Sequence, residues 1–252
     1  MAVRRITLLR EAHPGRPAYD AAVSRATLQR VARELEPETL RLYRPDPVVA
    51  FGRRDVVAPG YAAAVRAARD RGFAAIQRLA GGRAAVFHDA TLAFAWTIPD
   101  LRARERIGHH FEALAEIMQG AFRKLGVDAR IGEVPGEYCP GAHSVNARGA
   151  RKLMGVGQRV MRGATHVGGV VVVGGSESIR DVLIPVYEAL RLDWEPRSVG
   201  SLRDELGQLE IAAVERAILD EFAARSLLVP GSLGSATLAL AGRLEPDHHS
   251  GA

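Results

Sequence analysis

Arg78-Leu79-Ala80-Gly81-Gly82-Arg83-Ala84-Ala85-Val86-Phe87-His88 is the stretch on which the reading of this chain turns. Two adjacent glycines stand between arginines and lead into a strand-like run that ends at His88. Asp89-Ala90-Thr91 opens a second run, residues 92–98, so the two runs read as a hairpin around a short polar turn. Glycines at the mouth of a strand put no Cβ in the way, and a ligand can approach the backbone closely. The flanking guanidiniums can then meet an anion or a carbonyl. An ordinary Gly-Gly turn looks the same in isolation, so the rest of the chain has to decide.

With 252 residues there is room for one large α/β or α+β domain, or for two small ones. A hydrophobic content of 47% beside 25% charged residues is that of a globular protein, and no apolar run is long enough to span a membrane. The opening Met1-Ala2-Val3-Arg4-Arg5-Ile6 lacks the apolar core of a signal peptide, so a cytoplasmic protein with no membrane partner is expected. The net charge of +5 rests on arginine: of 34 basic residues only Lys124 and Lys152 are lysine. The arginines are interleaved with acids and form no basic stripe, which argues against a nucleic-acid partner. A mildly basic surface suits an acidic protein partner. The lone Cys139 excludes an internal disulfide and a Cys-rich zinc site, and no spacing of His, Cys and carboxylates matches a metal motif. His109-His110 and His248-His249 read as solvated pairs.

Periodicity predicts helices at residues 19–35, 61–71 and 108–125, the last with Phe111, Leu114, Met118 and Phe122 on one face. A further helix at 178–190 should break at Pro185. Ser201-Leu202-Arg203-Asp204 has the character of a capping box and should open a last helix carrying Ile211, Val214, Ile218 and Phe222. Strands are predicted at 6–10, 40–43, 48–51, 127–131, 144–147, 151–161 and 166–173. Residues 1–228 are expected to form one domain, and 229–252, rich in Gly, Ser, Pro and His, a flexible tail. Strands joined by tight turns favour an α+β fold with a largely antiparallel sheet. No phosphate-binding G-x-x-x-x-G-K-[ST] loop is present, and Gly155-Val156-Gly157 meets Val160 where a dinucleotide fingerprint needs glycine.

Residues 6–202 resemble the lipoate–protein ligase and octanoyltransferase family, whose catalytic domain is related to biotin protein ligase, and four stretches carry the match in the family's order. They are Phe51-Gly52-Arg53, the Arg78–His88 loop, Arg151-Lys152-Leu153-Met154-Gly155-Val156-Gly157-Gln158-Arg159, and Ser198-Val199-Gly200-Ser201-Leu202. The resemblance implies a single α+β domain of the biotin/lipoate protein ligase type, with a mostly antiparallel sheet and packed helices. It implies substrate-binding roles for Arg78, Gly81, Gly82, Arg83 and His88, and for Gly155 and Gly157. His166 only partly matches the family's H-G-[ST] element, because Val167 separates it from Gly168. It makes Lys152 a catalytic donor to the oxyanion that develops on an acyl carbonyl, against the alternative of a solvated strand lysine.

Cys139 separates the subfamilies. The ligases activate a free acid with ATP and need no cysteine, whereas one group of transferases carries the acyl group as a thioester on a loop cysteine before the R-K segment. Cys139 stands thirteen residues before Lys152, in Glu137-Tyr138-Cys139-Pro140-Gly141. A thiolate attacking a thioester needs no ATP. A small, inert, buried cysteine is the alternative reading. Arg83 replaces a glycine common in the ligases, and little chain follows Leu202, which again favours the transferases. The implied function is transfer of an octanoyl or lipoyl group from acyl carrier protein to a lysine of a lipoyl domain or of the glycine-cleavage carrier, with no cofactor. An ATP- and magnesium-dependent lipoate ligase, and a non-catalytic carrier- or acyl-binding module, are the alternatives.

Overall fold

A computed structural model describes residues 3–251; Met1, Ala2 and Ala252, the ends of the predicted domain and tail, lie outside the described residues. Strand β1 (Arg5–Leu9) leads to helix α1 (Pro17–Val31) and to strands β2 (Thr39–Tyr43) and β3 (Val48–Phe51). Helices α2 (Arg53–Val56) and α3 (Tyr61–Asp70) precede β4 (Ala74–Gln77), β5 (Ala85–Phe87) and the long β6 (Thr91–Asp100). Helix α4 (Ile107–Lys124) is followed by β7 (Ala129–Ile131), β8 (Val145–Ala147), β9 (Arg151–Met161) and β10 (Gly163–Val172). Helices α5 (Ser176–Ala189), α6 (Leu202–Leu206) and α7 (Ile211–Ala223), strand β11 (Leu227–Pro230) and helix α8 (Ser235–Leu244) complete the chain.

Eight strands form one sheet in the order β11-β1-β2-β6-β10-β9-β8-β7. β1 runs parallel to both of its neighbours, and all other pairings in this sheet are antiparallel. A second sheet, β4-β3-β5, has one parallel and one antiparallel pairing. The expected α+β fold with a mostly antiparallel sheet is found, with a parallel edge added. The periodic apolar faces of α4 and α7 meet the large sheet: Leu114, Met118, Phe122, Ile218 and Phe222 share a core with Leu42, Trp96 and Val171. The small sheet packs on α3 and α5 through Val49, Phe51, Val65, Val86, Ile179 and Leu183. Helix α1 touches β6 and β10 on one side and β4 on the other, and so bridges the two sheets.

The structure departs from the sequence expectations at five places. The runs around Asp89 do not form a hairpin: β5 belongs to the small sheet and β6 to the large one. The turn between them is closed by the Thr91 N–H donating to the His88 carbonyl (2.9 Å) and the His88 N–H donating to Thr91 Oγ1 (3.1 Å). Alternation marks a strand but does not say which sheet receives it. Helix α5 runs unbroken through Pro185, because the Asp181 carbonyl that loses its helical donor accepts from the Arg71 guanidinium instead. The capping box at Ser201 and Asp204 is present, yet it opens only α6, which Gly207 ends at φ +76° before α7 begins.

The predicted tail is ordered, which is the fourth departure. Residues 227–230 pair with β1, and α8 packs Leu238 and Ala241 against Tyr19, Ala22, Val23 and Ala26 of α1. His249 then bridges to Ile76 at the edge of β4. The fifth departure concerns the histidines read as solvated. His110 is buried against Asp100 (2.8 Å), and His248 is buried with its Nδ1 2.7 Å from the Gln77 carbonyl.

Removing residues 231–252 would strip the apolar face of α1 and leave Arg16 and Arg25 without Glu245 and Asp247. One kcal/mol moves the melting temperature of a domain this size by about 2–4 °C. The truncated protein is therefore expected to melt at least about 10 °C lower in a thermal scan, whereas loss of a mere tail would leave the melting temperature unchanged.

Candidate active site

The Gly-Gly loop joins β4 to β5 and lies flat against two other pieces of backbone. A Cβ placed on Gly157 of β9 would stand 2.8 Å from the Gly81 nitrogen, and one placed on Gly52 would overlap the Gly82 carbonyl. Contact this close is open only to residues without a side chain. The Arg78 side chain folds back beneath Gly81. Its guanidinium donates to the Arg83 carbonyl and, through Nη2, to Cys139 Sγ at 3.0 Å. The Arg83 side chain reaches sideways to buried Asp55 (3.3 Å), whose other oxygen accepts the Gly52 N–H (3.0 Å).

Cys139 adopts a left-handed backbone, φ +42°, which is uncommon outside glycine and asparagine. Its surroundings hold it there. The Cys139 N–H donates to the Tyr187 hydroxyl (2.9 Å), which donates in turn to the Ala84 carbonyl (3.1 Å). The Cys139 carbonyl accepts from Lys152 Nζ (2.7 Å). Lys152, on β9, is 1% exposed, and its ammonium also donates to the Tyr138 carbonyl and to Glu137 Oε1, both at 2.9 Å. Gly155 leaves the room this side chain needs: a Cβ there would lie 3.3 Å from Lys152 Cε.

An ammonium has three hydrogens, and all three are committed to the cysteine loop. In this arrangement the ammonium anchors the loop, and the oxyanion role expected of Lys152 would require it to exchange one of these three partners for the substrate. The solvated-lysine alternative is excluded by its burial. Lys124 does lie on the surface, 55% exposed and paired with Glu221 at 2.6 Å.

Burial pushes the Cys139 thiol up, but the Arg78 and Lys152 charges, with hydrogen bonds from the Arg83 N–H and from Arg78, pull it further down. The thiol therefore ionises below its usual range, the condition for a nucleophilic cysteine. Burial holds Tyr138 and Tyr187 in their neutral, hydrogen-donating form. Burial also raises the Asp55 carboxyl, against the pull of the Gly52 N–H and Arg83.

Different parts of the β4–β5 loop line two spaces, Arg78 to Ala80 the one and Gly82 and Arg83 the other. The thiol opens on a surface cleft that it shares with Gly82, Arg83, Pro140 and Tyr187. Between the two sheets lies a narrow, mostly apolar cavity of about 80 Å³, walled by Val48, Ile76, Phe87, Phe94 and His166. Arg78, Ala80, Asp20, Tyr43 and Asp46 also line it. Of the predicted residues, Arg78 and Arg83 bond to Cys139, Gly82 shares its cleft, and Gly81 covers the Arg78 guanidinium. Gly157 backs their loop, and Gly155 accommodates Lys152. His166 lies in the cavity wall. Burial alone pushes its imidazole down to about 4, and its Nδ1 has no partner among the described residues.

His88 is a correction. It turns into the junction between the sheets, against Gly175 at the start of α5, where its Nδ1 accepts the Ala90 N–H (3.2 Å), and it lines neither space. Three contributors lie outside the sequence expectations. Glu137, two residues before Cys139, and Asp55, three after Gly52, were visible as buried-acid candidates only through their motifs' neighbours. Tyr187 sits on an apolar helical face and carries no signal. Among the described residues no group of His, Cys, Asp and Glu could hold a metal ion, and no helix is long and apolar enough to cross a membrane.

Thiol alkylation followed against pH should show a Cys139 midpoint below that of an ordinary cysteine. Arg78→Met removes the nearest cation without emptying its space. The midpoint is expected to rise by about one pH unit or more, as for loss of a charge in contact with the group; an unchanged midpoint would dissociate Arg78 from the thiolate.

Comparison with known proteins places the chain in a family. The model of the lipoyl protein ligase A/B catalytic domain matches residues 16–223. Among curated relatives, the octanoyl-[GcvH]:protein N-octanoyltransferase of Geobacillus kaustophilus is 27% identical over 172 residues, covering 67% of this chain and 60% of that protein. Its namesake from an Exiguobacterium species is 29% identical over 178 residues, covering 67% and 63%. The chain thus spans about three-fifths of the length of these relatives. Among solved structures, lipoate-protein ligase A bound with ATP superposes with a TM-score of 0.75 at 20% identity, covering 97% of this chain and 95% of that one. A bi-partite lipoate protein ligase from Thermoplasma acidophilum gives 0.72 at 20% identity, covering 98% and 93%. At that identity the structures speak for the fold, and the family model, which takes in most of the chain, decides its membership: this protein belongs to the lipoyl protein ligase A/B catalytic domain family.

Proposed function

We propose that this protein is an acyltransferase that passes an octanoyl or lipoyl group from a carrier protein to a lysine of a lipoyl carrier domain through a thioester on Cys139. The observation that carries the reading is the thiol itself: left-handed, 3.0 Å from Arg78, drawn below its usual pKa and open to a cleft. Cys139 Sγ attacks the acyl carbonyl carbon, the carbon–sulfur bond forms, and the donor's leaving group departs. The backbone N–H of Arg83, which already reaches Sγ, and that of Gly82 in the same cleft are the candidate donors for the oxyanion. The acceptor lysine, as a neutral amine, then attacks the Cys139 thioester. Sγ leaves as a thiolate, the form that Arg78 stabilises, and the new amide gives its surplus proton to solvent. The narrow cavity between the sheets suits a single unbranched chain.

The donor follows from the same chemistry. A thioester donor, such as an acyl carrier protein thioester, releases a thiolate and needs no acid. The hydrogen bonds at Sγ come from Arg78 and the Arg83 N–H, with no histidine among them, which suits that donor. The relatives' names make octanoyl-[GcvH] the second candidate for donor, and the glycine-cleavage carrier or a lipoyl domain the candidates for acceptor. ATP and magnesium have no part in either version.

Intact-mass analysis after mixing with octanoyl-acyl carrier protein, and separately with octanoyl-GcvH, should show one octanoyl group on Cys139. Cys139→Ala is expected to abolish transfer to the acceptor while melting within about 2 °C of the parent, since the change removes one sulfur beside the surface. Adding ATP, magnesium and lipoate should modify no carrier. Transfer at the parental rate without Cys139, or modification that strictly requires ATP, would point to the ligase instead; no acylation under any condition would point to a binding module.

A further inference from the structure

The cysteine loop has two buried ionic partners, Lys152 and Glu137. The Glu137 carboxylate is fully buried. Its Oε1 accepts from Lys152 Nζ (2.9 Å), Ser144 Oγ (2.9 Å) and the Gly141 N–H (3.2 Å), and its Oε2 accepts from the Val134 N–H (2.9 Å). These donors come from before and after Cys139 in the chain and from β9. The same ammonium that pairs with Glu137 takes the next two carbonyls, Tyr138 and Cys139. Three consecutive residues are thus gripped by one ion pair, and the third is the residue with the disfavoured backbone.

We propose that Glu137 is a positioning residue: its carboxylate, through Lys152 and the ends of the loop at Val134, Gly141 and Ser144, holds Cys139 in its left-handed conformation beside Arg78. The two partners have distinct tasks. Lys152 brings a positive charge that favours the thiolate. Glu137 brings a negative charge that opposes it, so its presence beside a nucleophilic thiol is explained by the geometry it maintains and not by its field. Removing either partner of the pair also leaves the other's charge buried and unpaired, which loosens the site further. The charged or titratable groups around Cys139 further include Arg78 and Arg83 from the β4–β5 loop, Asp55 from α2, Tyr187 from α5 and Tyr138 from the loop itself, with Arg54, Glu133 and Asp193 lining the same cleft.

This inference sharpens the acyl-transfer reading, but its test reads the thiol and not turnover, so either can fail alone. The measurement is the pH dependence of iodoacetamide alkylation at Cys139 in the full chain, with circular dichroism to confirm folding. Simple loss of a negative charge in Glu137→Gln predicts a lower midpoint. Loss of positioning predicts the opposite: the loop relaxes, Sγ leaves Arg78, and the midpoint rises by about one pH unit, a tenfold slower alkylation at a fixed pH below the midpoint. A midpoint that falls or stays overturns the proposal. Should Glu137→Gln fail to fold, Ser144→Ala removes one of the carboxylate's donors without changing any charge. A raised midpoint there supports the positioning role, and an unchanged one overturns it.

Discussion

Backbone touching backbone is the constraint on which this site rests. The Gly81-Gly82 turn can approach Cys139 only because Gly52 and Gly157 place no side chain beneath it. A methyl group at either position would lift the turn, carry Arg78 away from the thiol and open the wall between cleft and cavity. The glycines of the R-K segment and of the β4–β5 loop therefore act together, although seventy-odd residues of chain separate them. Their contribution is proximity, which neither affinity nor charge could supply from a distance.

The second layer of the site is ionic and buried. Ion pairs in protein interiors add little net stability, since desolvation offsets the Coulombic gain. What such a pair does well is select one geometry, because any displacement strands a charge. Here it selects a cysteine conformation that the backbone alone would avoid. Activation of the thiol then comes from fixed cations, not from a neighbouring base, so its reactivity depends on how rigidly Arg78 and Lys152 stay in place.

Much of this was legible in the sequence, for identifiable reasons. The strand expected at 151–161 coincides with β9, because its tight turns and alternating residues are local signals. The family motifs pointed at Cys139, Lys152 and the Gly-Gly loop, and these do come together. What the sequence did not carry is partition: β5 and β6 are neighbours in the chain that join different sheets, and no local pattern distinguishes that from a hairpin. His88 was misplaced for the same reason, since it marks the crossing. For Lys152 the motif carries no sign of the loop-anchoring contacts, because only the three-dimensional arrangement reveals how many of its hydrogens are spoken for. In α8, glycine and serine on either side disguise the three-residue spacing of Leu238 and Ala241 that meets α1.

The strap after α8 bears on how such a molecule comes off the ribosome. Synthesis runs from the N-terminus, so β3, β4 and β5 emerge while the residues that will cover the edge of β4 do not yet exist. Ile76 and Gln77 wait for His248 and His249, some 170 positions downstream. β1 likewise waits for β11. During translation the nascent chain thus presents two uncapped strand edges, the feature of β-proteins most apt to recruit another chain. β11 precedes α8 in the chain, so a molecule released while α8 is being made could close the β1 edge but would carry its cysteine loop beside a β4 edge still open.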